Sequence, residues 1–396
     1  MKSIFFGIKN NIRKYFVLLF TNRRNFIPIL GLYYLTFPWS TVEEVAILTS
    51  AGFFTGFLLE TPSGYVGDTL GHKKTLIISK ILFLLSTLCF VLGYSFIWFI
   101  VGSMLLNAAF AFSSGSNTAL LHETLTELGK DNLFTKYQWR IGGTVSLLSA
   151  VFIIALPFFT EISFKLPFLI RLGADIIGLF ITMSLVQPKI AYHKEQIKQS
   201  VRSSLKSISN KSFRAIMIFI IILKGIIRTE TPFKSLYIED LWLPVALIGL
   251  IMWTSRLIWF ITSRFVDKIE KKYSLRHICL FLLIFASSAL TCMVRSDNPY
   301  LAGLCGASVN GVFRGLNPVI THYIIKILPN KKYKATVLSL QRQAENIITV
   351  IGMFVLGFVM EYSFKIGYAI IAGSIMVAGG LAYIFVWKYT KKNVGT

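Results

Sequence analysis

Hydrophobic positions along this chain come in long blocks rather than in stripes. Runs of roughly 20 apolar residues, long enough to cross a hydrocarbon core as helix, alternate with short polar or basic segments. The pattern predicts twelve membrane-spanning helices, over about 15–37, 42–66, 75–93, 96–120, 137–159, 166–187, 213–236, 244–264, 276–294, 300–324, 336–359 and 366–387. Most linkers are short, as expected where every backbone amide must find its partner inside its own segment. One linker is long. The basic, Ser-rich stretch 188–212 divides the spans six and six, which predicts an N-terminal six-helix half (1–187), a cytoplasmic linker (188–212) and a C-terminal six-helix half (213–396). The predicted fold class is an all-α membrane protein.

Composition supports that class. Of 396 residues, 54% are hydrophobic and only 15% charged, whereas soluble domains carry about 25% charged residues. A soluble enzyme, a disordered scaffold and a secreted disulfide framework are excluded. The formal charge of +23 would suggest nucleic acid in a soluble chain, but here most bases lie between the apolar blocks, so no nucleic-acid partner is expected. On one side of the predicted membrane 27 Lys and Arg accumulate, against Lys165, Arg295 and Lys365 on the other. By the positive-inside rule both termini and the middle linker are cytoplasmic, in a cell-membrane protein that crosses many times. The four cysteines (Cys89, Cys279, Cys292, Cys305) fall in apolar segments without metal-binding spacing and read as small buried apolar residues.

Traces of a repeat link the halves. Asp68 precedes Lys73 by five residues, as Asp267 precedes Lys272, and Gly115-Ser116-Asn117 corresponds to Gly315-Leu316-Asn317. The offsets, 199 and 200, agree to one residue. Two pseudo-symmetric halves of six helices are expected, as in many transporters.

The segment between the second and third spans contains Gly64, Asp68, Gly71, His72, Lys73 and Leu76. It resembles the major facilitator superfamily signature G-x-L-A-D-R-x-G-R-K-x-x-L, with Thr69 and His72 where arginines are usual. Upstream, Glu60-x-Pro62-x5-Asp68 is similar to the variant motif of Gram-positive tetracycline and drug efflux proteins, as is the run Lys334–Ser339 before span 11. Asn107 stands where many proton-driven drug antiporters carry arginine. The resemblance implies the twelve-helix fold of that superfamily, a monomer without cofactor, and alternating access for a small molecule. It also implies gating roles for Gly64, Asp68, Gly71, His72 and Lys73. Asp68 would pair with Lys73 and face the start of span 11 near Lys334–Thr336, and the two glycines would permit close approach and a tight turn.

Ionisable groups inside the bilayer cost at least about 2.5 kcal/mol each on insertion scales and are functional candidates. Leaving aside bases and acids counted with the loops and span ends, eleven bases are assigned to spans, and the embedded acids are Glu60, Asp175, Glu230 and Glu345. Lys80 and Lys234 lie near enough to span ends to snorkel. Arg23 and Arg24 lie in the middle of span 1, about 100° apart on a continuous helix, so at most one could face a central cavity. Lys224 and Arg228 share a helix face, and Asn310, Arg314 and Asn317 form a polar stripe. Asn107 and Asn117 lie on a similar stripe in span 4. Arg140 is expected to find a carboxylate on a neighbouring span, and Arg171 and Asp175 to pair at i, i+4. Glu345 is a candidate for a cytoplasmic gate.

These features predict a secondary active transporter, an antiporter exporting small organic molecules or drugs in exchange for protons. Glu60 is the first candidate for the proton carrier, followed by Asp175, Glu230 and Glu345. The substrate cavity would draw on Arg23, Arg24, Asn107, Asn117, Arg140, Lys224, Arg228, Asn310, Arg314 and Asn317. An uptake symporter for an anionic metabolite is the alternative on the same fold. A non-transporting membrane receptor is a third reading. The chain lacks a Walker phosphate loop and any nucleophile–base constellation, so neither ATP nor enzymatic chemistry is expected.

Overall fold

A computed structural model describes residues 2–188, 211–327 and 334–390, and all regular structure among them is helical. Two compact units divide the chain, Met1–Ser40 with Ile47–Lys194 and Thr41–Ala46 with Glu195–Thr396. The first half contributes α1 (Lys2–Phe20), α2 (Ile27–Leu35), α3 (Val42–Leu70), α4 (His72–Leu92), α5 (Phe96–Glu127), α6 (Phe134–Phe158) and α7 (Leu166–Met183). The second contributes α8 (Lys211–Thr229), α9 (Lys234–Asp240), α10 (Val245–Arg264), the short α11 (Val266–Lys272), α12 (Leu275–Arg295), α13 (Pro299–Ile327), α14 (Lys334–Tyr362), α15 (Phe364–Ser374) and α16 (Gly380–Tyr389). The predicted linker lies outside the described residues from 189 to 210, and its last two residues belong to α8.

These helices group into twelve spans, because α1 with α2, α8 with α9, and α15 with α16 each form one. Among the described residues nine helices are long and apolar enough to cross a membrane by length and composition. The first, seventh and tenth spans do not meet that test. Two are broken, and α13 carries Asn310, Arg314 and Asn317 along its middle.

The first span departs from the sequence expectation. It is not one helix over 15–37: α1 begins at Lys2, ends at Phe20, and the chain restarts as a helix only at Ile27. Arg23 and Arg24 therefore lie in a turn, not on adjacent faces of a helix. The local cause is legible in hindsight. Asn22 and Asn25 favour turns through side-chain hydrogen bonds to the backbone, and Pro28 presets φ at the start of α2. In the seventh span Pro232 disfavours helix at Thr231, and α9 restarts two residues later. The twelfth span continues through a π-helical turn, Ile375–Gly379, between α15 and α16.

In the first unit α4 packs along α5 and α7, and α1 leans on α5, α6 and α7. Tyr15, Leu18, Leu76, Leu121, Val145 and Leu185 form one core cluster. A second, aromatic one surrounds α2, where Phe26 and Tyr33 lie 5.1 and 4.6 Å from the Phe168 ring. Such buried rings hold the short α2, whose nine residues are too few to be stable alone. Asn11 ties α1 to the end of α7 by donating to Val186 O (2.8 Å) and accepting from Val186 N (3.0 Å).

In the second unit α8 packs on α14 and α16, α10 on α13, and α12 on α13 and α15. The α8–α14 contact is closed by small residues from both sides. A Cβ at Gly225 would lie 2.7 Å from Ile348 Cβ, and one at Gly352 would collide with Thr229. Close approach of this kind replaces the hydrophobic drive that lipid cannot supply.

Candidate functional site

The break after α1 frees carbonyl groups that a continuous helix would have used, and buried cations of the same unit meet them. Arg171 on α7 donates to Arg23 O (2.8 Å) and to Thr21 O. Lys80 on α4 donates to Thr21 Oγ1 (2.6 Å) and lies 3.5 Å from Leu18 O. The partial negative charge of the α1 carboxyl end favours cations there. Asp175 completes the knot. It lies 2.7 Å from Arg24 Nη1 and 2.5 Å from Arg171 Nη2, and accepts from Thr87 Oγ1 at 2.7 Å. The side chains of Arg24 and Asp175 are wholly buried, and the Arg24 guanidinium lies 3.8 Å from the Phe83 ring centroid. The i, i+4 pair of Arg171 with Asp175 is present, but it recruits Arg24 as well. Lys80, expected to snorkel, is 1% exposed and a member of the knot. Sequence placed Lys80 near a span end by counting residues; the break puts polar acceptors beside it instead.

The second unit carries two polar groupings. Around the α8–α9 break, Glu230 Oε1 accepts from Lys234 Nζ at 2.7 Å and from Asn310 Nδ2 at 2.6 Å, while Lys234 also donates to Gly306 O at 2.9 Å. Lys234 is therefore buried and paired rather than snorkelling. One to two turns earlier on α8, Lys224 Nζ donates to Asn317 Oδ1 (2.6 Å) and lies 3.9 Å from Glu345 Oε1. Arg228 Nη1 donates to Asn346 Oδ1 (2.9 Å) and lies 4.0 Å from Glu345 Oε2. Gln341 Nε2 donates to Glu345 Oε1 at 2.7 Å. Arg342 and Arg314 are within electrostatic reach of Arg228, and both are exposed. Two cations thus share one carboxylate, and two more lie near Arg228, all held by α8, α13 and α14.

The repeat has a structural counterpart in polar contacts. Asn117 Oδ1 is approached by Asn22 Nδ2 at 3.4 Å in the first unit, and Asn317 Oδ1 by Lys224 in the second. Asn107 instead donates to Ser103 O (3.0 Å) and packs against Gly52 of α3, where an added Cβ would lie 2.5 Å from its Nδ2. Its role here is helix packing. Arg140 is exposed on α6, and no carboxylate pairs with it among the described residues. Glu60 is half-buried on α3, two residues before Pro62.

Between α3 and α4 the signature residues behave unequally. Gly71 has φ of 89°, a conformation that L side chains rarely adopt, so the tight turn needs glycine. Among the described residues a Cβ on Gly64 would meet nothing within 4 Å, whereas close approach occurs at Gly67, against His72 and Ser116. Asp68 is exposed and makes no ion pair with Lys73 among the described residues. The side chains of 331–339, including those expected to meet Asp68, lie outside the described residues. His72 is buried, with Nε2 3.3 Å from Glu123 Oε1 and Nδ1 3.4 Å from Ser116 Oγ. Lys73 contributes its backbone N–H to Gln187 Oε1 (2.9 Å), which satisfies one of the open amides at the start of α4. Glu123 and Gln187 were not evident in sequence, because nothing local marks a partner more than forty residues away.

Comparison with known proteins bears on the fold and the family. No curated protein matches the chain in sequence. The fold is similar to an alanine mutant of the nucleoside transporter NupG, with a TM-score of 0.79 at 15% identity over 96% of this chain and 99% of that one. It is also similar to a bacterial homolog of the human lysosomal transporter Spinster, with a TM-score of 0.70 at 11% identity over 98% of each chain. A POT family transporter in complex with 5-aminolevulinic acid gives 0.72 at 12% identity, over 96% and 97%. Residues 15–304 match the family described as Major Facilitator Superfamily. A transporter rather than an enzyme is the class these findings indicate, and the chain belongs to the Major Facilitator Superfamily.

Proposed function

We propose that this chain is a proton-coupled symporter of small organic solutes carrying negative charge. One observation carries the reading: Lys224 and Arg228 share a single carboxylate, Glu345, within helices that span the membrane, and Arg314 and Arg342 lie within electrostatic reach of Arg228. Several bases gathered at one acid in a bilayer favour a ligand that brings a further negative charge. The contacts of Glu345 to Lys224 and Arg228, at 3.9 and 4.0 Å, are long for ion pairs, and the Arg228 side chain is 36% exposed. Ionised Glu345 and an incoming anion compete for the same two bases, and a proton on Glu345 releases both to the anion, so that proton and solute bind together. Glu345 becomes the favoured proton carrier, ahead of Glu60. Asp175, clamped by two arginines, serves the fold of the first unit, and Glu230 with Lys234 and Asn310 secures the second break. The similarity of Glu60-x-Pro62-x5-Asp68 to drug exporters favours the opposite direction, so export by proton antiport is the second reading.

Inside-out vesicles containing a pH-sensitive dye test the proposal. With acid outside, anionic organic solutes should carry protons in and acidify the dye through the wild type but not through Glu345→Gln, while lipophilic cations have no effect in either. Proton movement with cations alone, or an undiminished response in Glu345→Gln, would overturn it. Protons leaving an acid interior as anionic solute enters would favour the exporting antiporter.

A further inference from the structure

An apolar groove lies in the second unit, away from the cation cluster. It occupies about 740 Å³ along α12, walled by Leu283, Ile284, Leu301 and Met376, with Arg295 at its far end. We propose that this groove holds one acyl chain of an anionic phospholipid whose phosphate is bound by Arg295.

The helices that form it are membrane helices. The apolar side chains on the walls face outward, with Ile284 58% and Met376 60% exposed, so lipid is their natural neighbour. The groove has a structural origin in the twelfth span. The π-helical turn Ile375–Gly379 inserts a residue into the helix, and Gly379 sits so close to α12 that a Cβ there would lie 2.7 Å from Leu283 Cδ1. That contact pins the two spans at Leu283, and Met376, three residues before Gly379, lines the groove. Isolated π-helical turns of this kind often accompany functional sites. Small side chains deepen the wall. Ser288 and Thr291 turn their hydroxyls back to Phe285 O (3.0 Å) and Ser287 O (2.7 Å), which leaves those donors satisfied without a ligand.

Length and charge select the occupant. From Leu283 to Arg295 a helix rises roughly 18 Å, close to half of the roughly 30 Å hydrocarbon core, the depth of one leaflet. Arg295 ends α12 and is exposed, and it has no ion pair among the described residues. The neighbouring acid Asp297 is taken by Lys365 at 2.5 Å. A guanidinium at leaflet depth above an apolar slot matches a phosphate joined to an acyl chain, and arginine binds phosphate oxygens in bidentate fashion. Cys292, expected from sequence to be buried, is exposed in this groove.

Native mass spectrometry of the purified full chain, delipidated and then titrated with palmitoyl-oleoyl phosphatidylglycerol or phosphatidylcholine, tests the site. The wild type should retain one phosphatidylglycerol. Arg295→Gln should weaken its retention about tenfold, the loss expected for one charge-assisted hydrogen bond, and weaken phosphatidylcholine, whose choline already offsets its phosphate, clearly less. Cys292→Trp, which fills the groove from an exposed position, should lose both lipids. Lys165→Gln, exposed on the same predicted side, is the control for surface charge, and matched thermal melting confirms that all variants are folded. Undiminished phosphatidylglycerol in Arg295→Gln, an equal loss in Lys165→Gln, or both lipids kept by Cys292→Trp would overturn the proposal.

Discussion

In the first unit the break between α1 and α2 is stitched by Arg24, Arg171 and Lys80 around Asp175, with ion-pair distances of 2.7 and 2.5 Å and no exposed surface on Arg24 or Asp175. In the second, the break between α8 and α9 uses one lysine and one acid, and four further cations lie nearby on or beside α8, two of them with contacts to Glu345 near 4 Å. Both regions place more bases than acids inside the membrane. They differ in what neutralises the excess. Backbone carbonyls released by the first break accept from Arg171 and Lys80, so that charge is spent on the fold. Around Glu345, side-chain amides of Asn317, Asn346 and Gln341 supply part of the hydrogen bonding, and the bases keep some exposure. A short, dry ion pair fixes a helix end, whereas a long, partly solvated one can change partners at low cost.

That contrast can be broken by mutation. The largest expected effect is at Asp175. Asp175→Asn leaves two buried guanidiniums facing each other, and by analogy with other broken buried pairs should cost about 3–5 kcal/mol of stability. Thermal melting in detergent should show a collapse of the folded fraction; a wild-type melting curve would mean that the knot is not structural. Lys224→Met should leave melting nearly unchanged but raise the substrate concentration for half-maximal transport by roughly tenfold to a hundredfold, about 1.4–2.8 kcal/mol. If Arg24→Met gave that same transport phenotype with intact folding, the proposed division of labour would be reversed.

Smaller changes sharpen the comparison. Gly71→Ala should destabilise the first unit by about 1–2 kcal/mol through its positive φ, whereas Gly64→Ala, in open space, should be neutral or slightly stabilising. Chemical denaturation of the two variants in parallel measures the difference. The smallest effect belongs to Asn117→Ala, about 0.6 kcal/mol for one weak interhelical hydrogen bond, while Asn317→Ala should alter transport more than stability because it releases Lys224. Equal transport in both alanine variants would argue against the functional reading of Lys224.

Much of this molecule could be read from the chain alone. Apolar block length gave the twelve spans, because the bilayer thickness is a single external ruler that each segment must meet by itself. The repeat offset, the i, i+4 pair at Arg171 and Asp175, and the shared face of Lys224 and Arg228 are likewise short-range consequences of helical geometry. The signature between the second and third spans marked the family. Tertiary structure alone decided which charges matter and how. Whether Lys80 reaches solvent or Thr21, whether Asp175 pairs once or twice, and whether Asp68 or His72 finds a partner depend on what neighbouring helices bring within 4 Å. The break at Thr21–Phe26 shows why. A turn inside a membrane span is tolerable only where other helices satisfy the backbone groups that it frees, and those helices lie more than fifty residues away in sequence.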